Sequence, residues 1–509
     1  MTPNSTTIRA MHQHDGQTVV LNGWVANTRD SKGLVFIILR DGSGFAQCVV
    51  SEAETSEALF AAARSLTQES SVRLTGTVRH DERQVGGYEL TVTDIHIFQI
   101  AEGYPITPKD HGIEFLMDHR HLWLRSRRQS AIMRVRNRVI MAIHEFFQGE
   151  GFIQMDAPIF TGNAVEGTTE LFETDFFGQP AFLSQSGQLY GEAMAMALGK
   201  IYTFGPTFRA EKSVTRRHLS EFWMIEPEVA FYDLEDDMAL IERFIKSVVG
   251  AAIRDCAPEL VTLERDIEAL AKVEKVFPRV AYTEAVRILR GELEVDGLNA
   301  ISILETDLAT ATQAVNDINA EMKDIETKLA RNDIKKGERK QGESRLLELR
   351  KDLERREDQV RNIPKWIESA RNFTDGDDLG GSDETVLTRV FDAPVMVYNW
   401  PTPIKAFYMK EVEGDPRFVK GVDLLAPEGF GEIIGGSERE TDLDILVRKI
   451  NEHGLPMEAF EWYLDLRRFG SVPHSGFGLG LERLVAWICN IHHVREAIPF
   501  PRRYGNLFP

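Results

Sequence analysis

The sequence predicts an α+β protein of at least two domains, a small barrel of five strands followed by a larger mixed domain that a helical hairpin interrupts. Five short β-rich runs separated by Gly, Asp and Ser turns fill residues 18–100, with one helix-like stretch after the third. An arginine-rich amphipathic segment at 119–144 then leads into strand-like runs crowded with opposite charges. A heptad seam runs through 300–362 and is too regular for a loop. A chain of 509 residues needs more than one core.

The totals exclude several classes. Lys plus Arg is 59 against 79 for Asp plus Glu, a formal net charge of −20, so bulk charge does not coat nucleic acid, and no DNA partner is expected. A local basic face is still allowed. Cys48, Cys256 and Cys489 lie far apart without CxxC spacing, which suggests neither a disulfide framework nor a zinc knuckle. No apolar run approaches the roughly 18 residues of a membrane span, and MTPNSTTIRAMHQHDG lacks a signal-peptide core. A cytoplasmic, soluble protein without membrane contact is expected.

The N-terminal runs are TVVLNGWVANTR, GLVFIILRD, GFAQCVVS, SVRLTGTVRH and YELTVTDIHIFQI, with SEALFAAARSL between the third and fourth. Five strands with a helix after the third is the order of an OB barrel, whose open face binds single-stranded nucleic acid, although a purely structural barrel shares the pattern. The barrel is assigned to 1–102 and a Pro- and Gly-bearing linker to 103–118; the second domain takes 119–509, with an insertion at 291–372. Within 119–144 seven arginines and no acid accompany Ile132, Val135, Val139 and Ile143 at helical spacing. That is an amphipathic helix with a basic outer face, turned to solvent, to a second subunit or to phosphate. GFIQMDAPIF follows as a strand. In the insertion, Leu304, Leu308, Ala311, Val315, Ile318, Met322, Ile325 and Leu329 form a seam that Leu346, Leu349, Leu353 and Val360 resume beyond the glycine-bearing NDIKKGERKQG. The pattern predicts an antiparallel helical hairpin turning at that segment. Six basic and three acidic residues between Arg331 and Arg345 make its tip net positive, either simply solvated or set to touch RNA.

Three clusters carry chemistry. In FRAEKSVTRRHLSEFWMIEPE at 208–228, Arg209 and Glu211 share one strand face, and Phe222, Met224, Glu226 and Glu228 share one on the returning strand; Arg217 and His218 lie in the loop between. A fixed guanidinium suits a phosphate under attack, carboxylates suit an amino group, and an exposed Phe suits stacking on a base. In DLLAPEGFGEIIGGSERE, Asp423 and Glu432 can hold Mg²⁺, which binds through few side chains and the substrate's own phosphates. Gly435 and Gly436 let a ligand approach the backbone near Arg439. In GFGLGLERLVAWI the glycines are not a dinucleotide fingerprint, because the spacing is G-x-G-x-G and no βαβ unit follows. A strand entering a helix with Arg483 in its first turn fits better.

These three clusters, in this order, resemble motifs 1, 2 and 3 of the class II aminoacyl-tRNA synthetases. With SQSGQLYGEAMAMALGKIYTFGPTF and VPHSGFGLGLERLVAWICNIHHVREAIPFPR, the wording is most similar to the bacterial asparaginyl-tRNA synthetases, over nearly the whole chain except about 291–372. The resemblance implies an OB-fold anticodon-binding domain and a catalytic domain of antiparallel sheet flanked by helices, in a homodimer whose interface is formed by the arginine-rich helix and GFIQMDAPIF. It implies ATP-dependent ligation of L-asparagine to tRNA(Asn) through an adenylate, with Mg²⁺. Position by position, it implies that Arg209 serves the α-phosphate, Glu211, Arg217 and His218 the ATP, Phe222 the adenine and Arg483 the γ-phosphate. Glu432 and Asp423 fall on the magnesium carboxylates. Ser186, Gln188 and Glu226 line the amino-acid pocket, Glu166 in NAVEGTTE closes over the α-amino group, and Arg439 takes the side-chain oxygen. In the barrel, Phe36 and Gln47 fall on the anticodon positions, one stacking and one hydrogen-bonding; a core position for Phe36 is the competing reading.

The sister aspartyl-tRNA synthetases are the alternative. They place a lysine where this chain has Gly191, so one cation for a second carboxylate oxygen is missing here. An amide nitrogen needs an acceptor instead, and Glu226 is the candidate.

Overall fold

A computed structural model describes residues 4–84, 86–162, 171–213, 215–331 and 334–508. The chain divides into two compact units, Met1–Trp123 and Leu124–Pro509.

In the first unit β1 (Thr18–Ser31), β2 (Leu34–Arg40), β3 (Phe45–Ser51), β4 (Ser71–His80) and β5 (Tyr88–Gln99) close into a barrel in the order β1-β2-β3-β5-β4-β1, with α1 (Glu57–Ser65) between β3 and β4. Only the β3–β5 ladder among these is parallel. Side chains alternate across a strand, so Val35, Ile37 and Leu39 of β2 and Ala46, Cys48 and Val50 of β3 fill the interior. Phe36 and Gln47, at the other parity, stand on the outside. That settles the Phe36 alternative against a core position.

In the second unit, α2 (Arg127–Gly149) starts where the Ser126 hydroxyl accepts from the Gln129 amide at 3.3 Å. The segment expected as one helix over 119–144 is therefore two, the shorter being Arg120–Trp123 in the first unit. α2 buries Ile132, Val135, Val139 and Ile143, as the spacing predicts. Its basic face is not wholly outward, because Arg136 is 7% exposed and pairs with Glu482 at 2.8 Å.

The further elements that frame the site are β6 (Ile153–Met155), α3 (Gln188–Leu198), β7 (Lys200–Phe208), β8 (Glu221–Ala230), α4 (Leu234–Asp255), β9 (Arg279–Ala281), α5 (Ala300–Leu329), α6 (Lys336–Arg371), α7 (Gly381–Leu387), β10 (Val395–Pro401), β11 (Asp415–Ala426), β12 (Gly431–Glu438), α8 (Met457–Arg468), β13 (His474–Gly480) and α9 (Leu481–Cys489). A nine-stranded sheet runs β9-β10-β11-β12-β13-β8-β7-β6, with a short strand at Glu411–Val412 beside β11. Its central ladders are antiparallel. One sheet face, with Ile225, Val229, Leu424 and Ile434, packs under α2, α4 and α9. The other face, carrying Glu226, Glu228 and Asp423, lines a cavity.

α5 and α6 form the hairpin, burying Leu304, Ala311, Ile318, Leu346 and Leu349. The turn is shorter than NDIKKGERKQG, since α6 already begins at Lys336. A second core under the hairpin base joins Leu304, Ile363, Ile367 and Ala370 to Val386 and Leu387 of α7 and Val395 and Val397 of β10. All three cysteines are free and buried.

Candidate active site

β7 and β8 pair antiparallel, with Phe208 opposite Glu221, so Arg209 and Phe222 emerge together at the end of the ladder. The Arg209 guanidinium lies 5.5 Å from the Phe222 ring centroid. These two residues, with Arg217, His218, Met224, Glu432, Gly478 and Arg483, line one cavity. Arg483, in the first turn of α9, donates to the Glu432 carboxylate at 3.1 Å and to its carbonyl at 3.0 Å. Burial and the neighbouring Arg483 and Arg209 lower the His218 pKa, keeping the imidazole neutral in a cationic surround. Glu211 is not among the residues lining this cavity or the next.

A second cavity, of about 490 Å³, is lined by Ser186, Gln188, Glu226, Glu228, Tyr408 and Arg439 among others. Glu226 accepts from the Ser186 hydroxyl, from the Gly187 amide at 2.8 Å and from Thr203 at 3.2 Å, which fixes its carboxylate plane. Arg439 donates through Nε to Glu228 at 3.2 Å, through Nη2 to the same carboxylate and through Nη1 to Ser437 at 2.7 Å. Burial pushes Glu228 up to about 8, against the pull of Arg439. Beneath them, Glu192 accepts from Gln188 at 3.0 Å, Arg467 at 2.9 Å, His474 at 3.0 Å and the Tyr463 hydroxyl. Burial opposes ionisation of Glu192, yet Arg467, His474 and Arg439 outweigh it and hold the carboxyl far below the ordinary range. Gln188 thus reaches the cavity from a side chain anchored below it.

The two cavities share Arg209, Met224, Glu432 and Gly478. At this junction Asp423 and Glu432 converge on Gly435, where an added Cβ would sit 3.4 Å from one carboxylate and 3.3 Å from the other. The space fits a small hard cation that takes few protein ligands and keeps its waters. Among the described residues no group of three or more His, Cys, Asp or Glu is placed to hold a metal by itself. Lys405 donates to Asp423 at 2.7 Å. Burial raises Asp423 to about 7 while Lys405 opposes it; for Glu432 burial is outweighed by Arg483, Lys405 and Arg209, which lower its pKa.

The structure therefore brings together Arg209, Arg217, His218, Phe222, Glu432 and Arg483 in one cavity, and Ser186, Gln188, Glu226, Asp423 and Arg439 in the adjoining one. Glu166 lies outside the described residues. On the barrel, the Arg29 guanidinium sits 4.7 Å from the Phe36 centroid, and Gln47 donates to Glu89 at 3.0 Å. Sequence reasoning assigned no role to Glu192, Glu228 or Lys405. The parity of Phe222, Met224, Glu226 and Glu228 on β8 was enough to find Glu228; the other two carry no local signal.

The family described as tRNA synthetases class II (D, K and N) matches residues 112–504, and an OB-fold nucleic acid binding domain matches 19–98. An asparagine–tRNA ligase of Sorangium cellulosum is 48% identical over 497 residues, 97% of each chain, and one of Symbiobacterium thermophilum is 48% identical over 504 residues, 99% of each. Among solved structures, asparaginyl-tRNA synthetase from Pyrococcus horikoshii complexed with asparaginyl-adenylate superposes with a TM-score of 0.81 at 38% identity, covering 100% of both chains. The chain belongs to the asparagine–tRNA ligase family of the class II synthetases. The bacterial alignments span too much of the chain to omit 291–372, so the likeness extends through the insertion that the motif resemblance left out.

Proposed function

We propose that the chain ligates L-asparagine to tRNA(Asn) with ATP through an asparaginyl-adenylate. The observation that carries this is the junction: a cavity with the Phe222 platform and the Arg217 and Arg483 cations in its wall opens onto a second pocket through Arg209 and Glu432. ATP occupies the first cavity, its adenine on Phe222, its γ-phosphate at Arg483 and its phosphates beside Arg217 and His218, with Glu211 in the same loop. Asparagine occupies the second, its side-chain oxygen on Arg439 and its amide nitrogen on Glu226, with Ser186 and Gln188 in the wall and Glu166 closing over the α-amino group.

The asparagine carboxylate attacks the α-phosphorus in line, and the bond to the departing pyrophosphate breaks. Arg209 stabilises the charge that grows on the α-phosphate oxygens. Asp423 and Glu432 would hold Mg²⁺, which when bound neutralises phosphate charge. The 3′-hydroxyl of the terminal adenosine of tRNA then attacks the adenylate carbonyl and AMP leaves. No side-chain nucleophile is required, so the protein contributes position and field. The barrel's outer face reads the anticodon, Phe36 by stacking and Gln47 by hydrogen bonding.

A homodimer through α2 and β6 is supported by exposed Met141 and Ile153 and by the open edge of β6. The three free cysteines fit a reducing compartment, and we place the protein in the cytoplasm. Among the described residues no helix is long and apolar enough to cross a membrane.

The test is amino-acid-dependent ATP–pyrophosphate exchange without tRNA, run separately with asparagine and aspartate. Exchange with asparagine is expected; exchange with aspartate alone would replace this reading by the aspartyl one.

A further inference from the structure

The helical hairpin and the nucleotide cavity meet at one buried carboxylate. Glu384, on α7, is 8% exposed. Its Oε2 accepts from Arg217 Nη1 and from the backbone amide of Glu432 at 3.3 Å. Arg217 Nη2 donates in turn to the Gly429 carbonyl at 2.7 Å. A Cβ on Gly431 would overlap the Glu384 carboxylate, and one on Gly381 would stand 3.0 Å from the Arg217 guanidinium, so both glycines keep room for this pair.

The other side of α7 belongs to the hairpin. Ser369, near the end of α6, donates to Asp383 at 3.0 Å, and Asp383 accepts from the Gly380 amide at 3.0 Å, closing the first turn of α7. Val386 and Leu387 share one core with Leu304 of α5 and Ile363, Ile367 and Ala370 of α6. Arg389, just beyond α7, pairs with Asp307 of α5. A seven-residue helix thus ties both arms of the hairpin base to a loop arginine and to the strand bearing Glu432.

We propose that Glu384 is a positioning residue for ATP, and that through α7 the hairpin base braces the nucleotide cavity. Glu384 does not reach the nucleotide; it holds Arg217 and the Glu432 backbone in place. Losing it removes the carboxylate acceptor of Arg217 Nη1 and of the Glu432 amide and leaves Arg217 held only through the Gly429 carbonyl, so both shift within the cavity wall. The inference rests on the assignment of this cavity to ATP.

Pyrophosphate exchange of wild type, E384A and the isosteric E384Q tests it, with R209A alongside. For E384A the KM for ATP is expected to rise about tenfold, a loss of about 1.4 kcal/mol, with the KM for asparagine within about twofold of wild type. E384Q keeps an acceptor without the charge and falls between, and it carries the test if E384A does not fold. Hydrogen exchange gives a second readout: ATP should slow amide exchange at 363–373 and 381–388 in wild type and leave E384A indifferent. An unchanged KM for ATP, an equal rise in both KM values, or a hairpin base blind to ATP in wild type overturns the brace. An active R209A would instead overturn the assignment of the cavity itself.

Discussion

Replacing Arg439 by lysine keeps the charge and removes the fork. In the native site the guanidinium makes two hydrogen bonds to Glu228 and one to Ser437. A lysine ammonium is a point donor on a different stem and cannot satisfy both Glu228 oxygens and Ser437 while also presenting a donor to a substrate oxygen. Hydrogen bonds to charged groups contribute about 1.5–3 kcal/mol each, so the loss of one such bond, with misalignment of the donor left for the substrate, amounts to about 2–3 kcal/mol. At about 1.4 kcal/mol per tenfold, kcat/KM for asparagine should fall roughly 30- to 150-fold. Arg439 lines only the amino-acid cavity, so the KM for ATP should move less than about twofold. Initial rates of pyrophosphate exchange with each substrate varied in turn give both numbers. A loss under about fivefold for asparagine, or one of equal size in the ATP term, would refute the role given to the Arg439 fork.

Three further outcomes follow from the same geometry. R209A should lower adenylate formation by about 10²–10³ or more, as expected for a group that stabilises transition-state charge, while filter binding of tRNA is retained. F36A should weaken tRNA binding by about 1–3 kcal/mol and leave pyrophosphate exchange without tRNA unchanged. Asp237 of α4 is fully buried, neither carboxylate oxygen has a hydrogen-bond partner among the described residues, and burial pushes it up to about 8 from an ordinary 3.8. The folded state therefore keeps a proton that the unfolded chain loses, and this group makes stability fall as pH rises from about 4 to about 8; D237N should flatten that slope, measured as denaturant midpoints at pH 6 and pH 8.

What could be read from the sequence was what the chain encodes locally. Five β-rich runs with a helix after the third gave the barrel's element order directly, and the common parity of Phe222, Met224, Glu226 and Glu228 put four cavity-lining residues on one face. The hairpin seam was equally plain. Its turn is shorter than the glycine-bearing segment suggests because Gly342 lies within α6, where an added Cβ would come 3.0 Å from Leu329 on the opposite arm. There the missing side chain allows close packing of two helices. Arg136 looked like one more cation on a basic face because its partner Glu482 is hundreds of positions away. The same distance hid the polar groups beneath the site: Glu384 meets Arg217 across 167 positions, and Glu192 meets Tyr463 across 271. Such pairs carry no period and no spacing, and only the folded sheet brings them together.

The placement of the cysteines has a practical consequence. Cys48 is 0% exposed inside the barrel, while Cys256 at 4% and Cys489 at 0% lie in the core under α2, α4 and α9. Burial raises the thiol pKa of Cys48 and Cys489, so neither is an appreciable nucleophile in the native state. A thiol-modifying dye therefore reacts only when the surrounding unit opens. Peptide mapping of the label separates the two units, so the barrel unit and the larger unit of one unaltered chain each carry their own native reporter of unfolding.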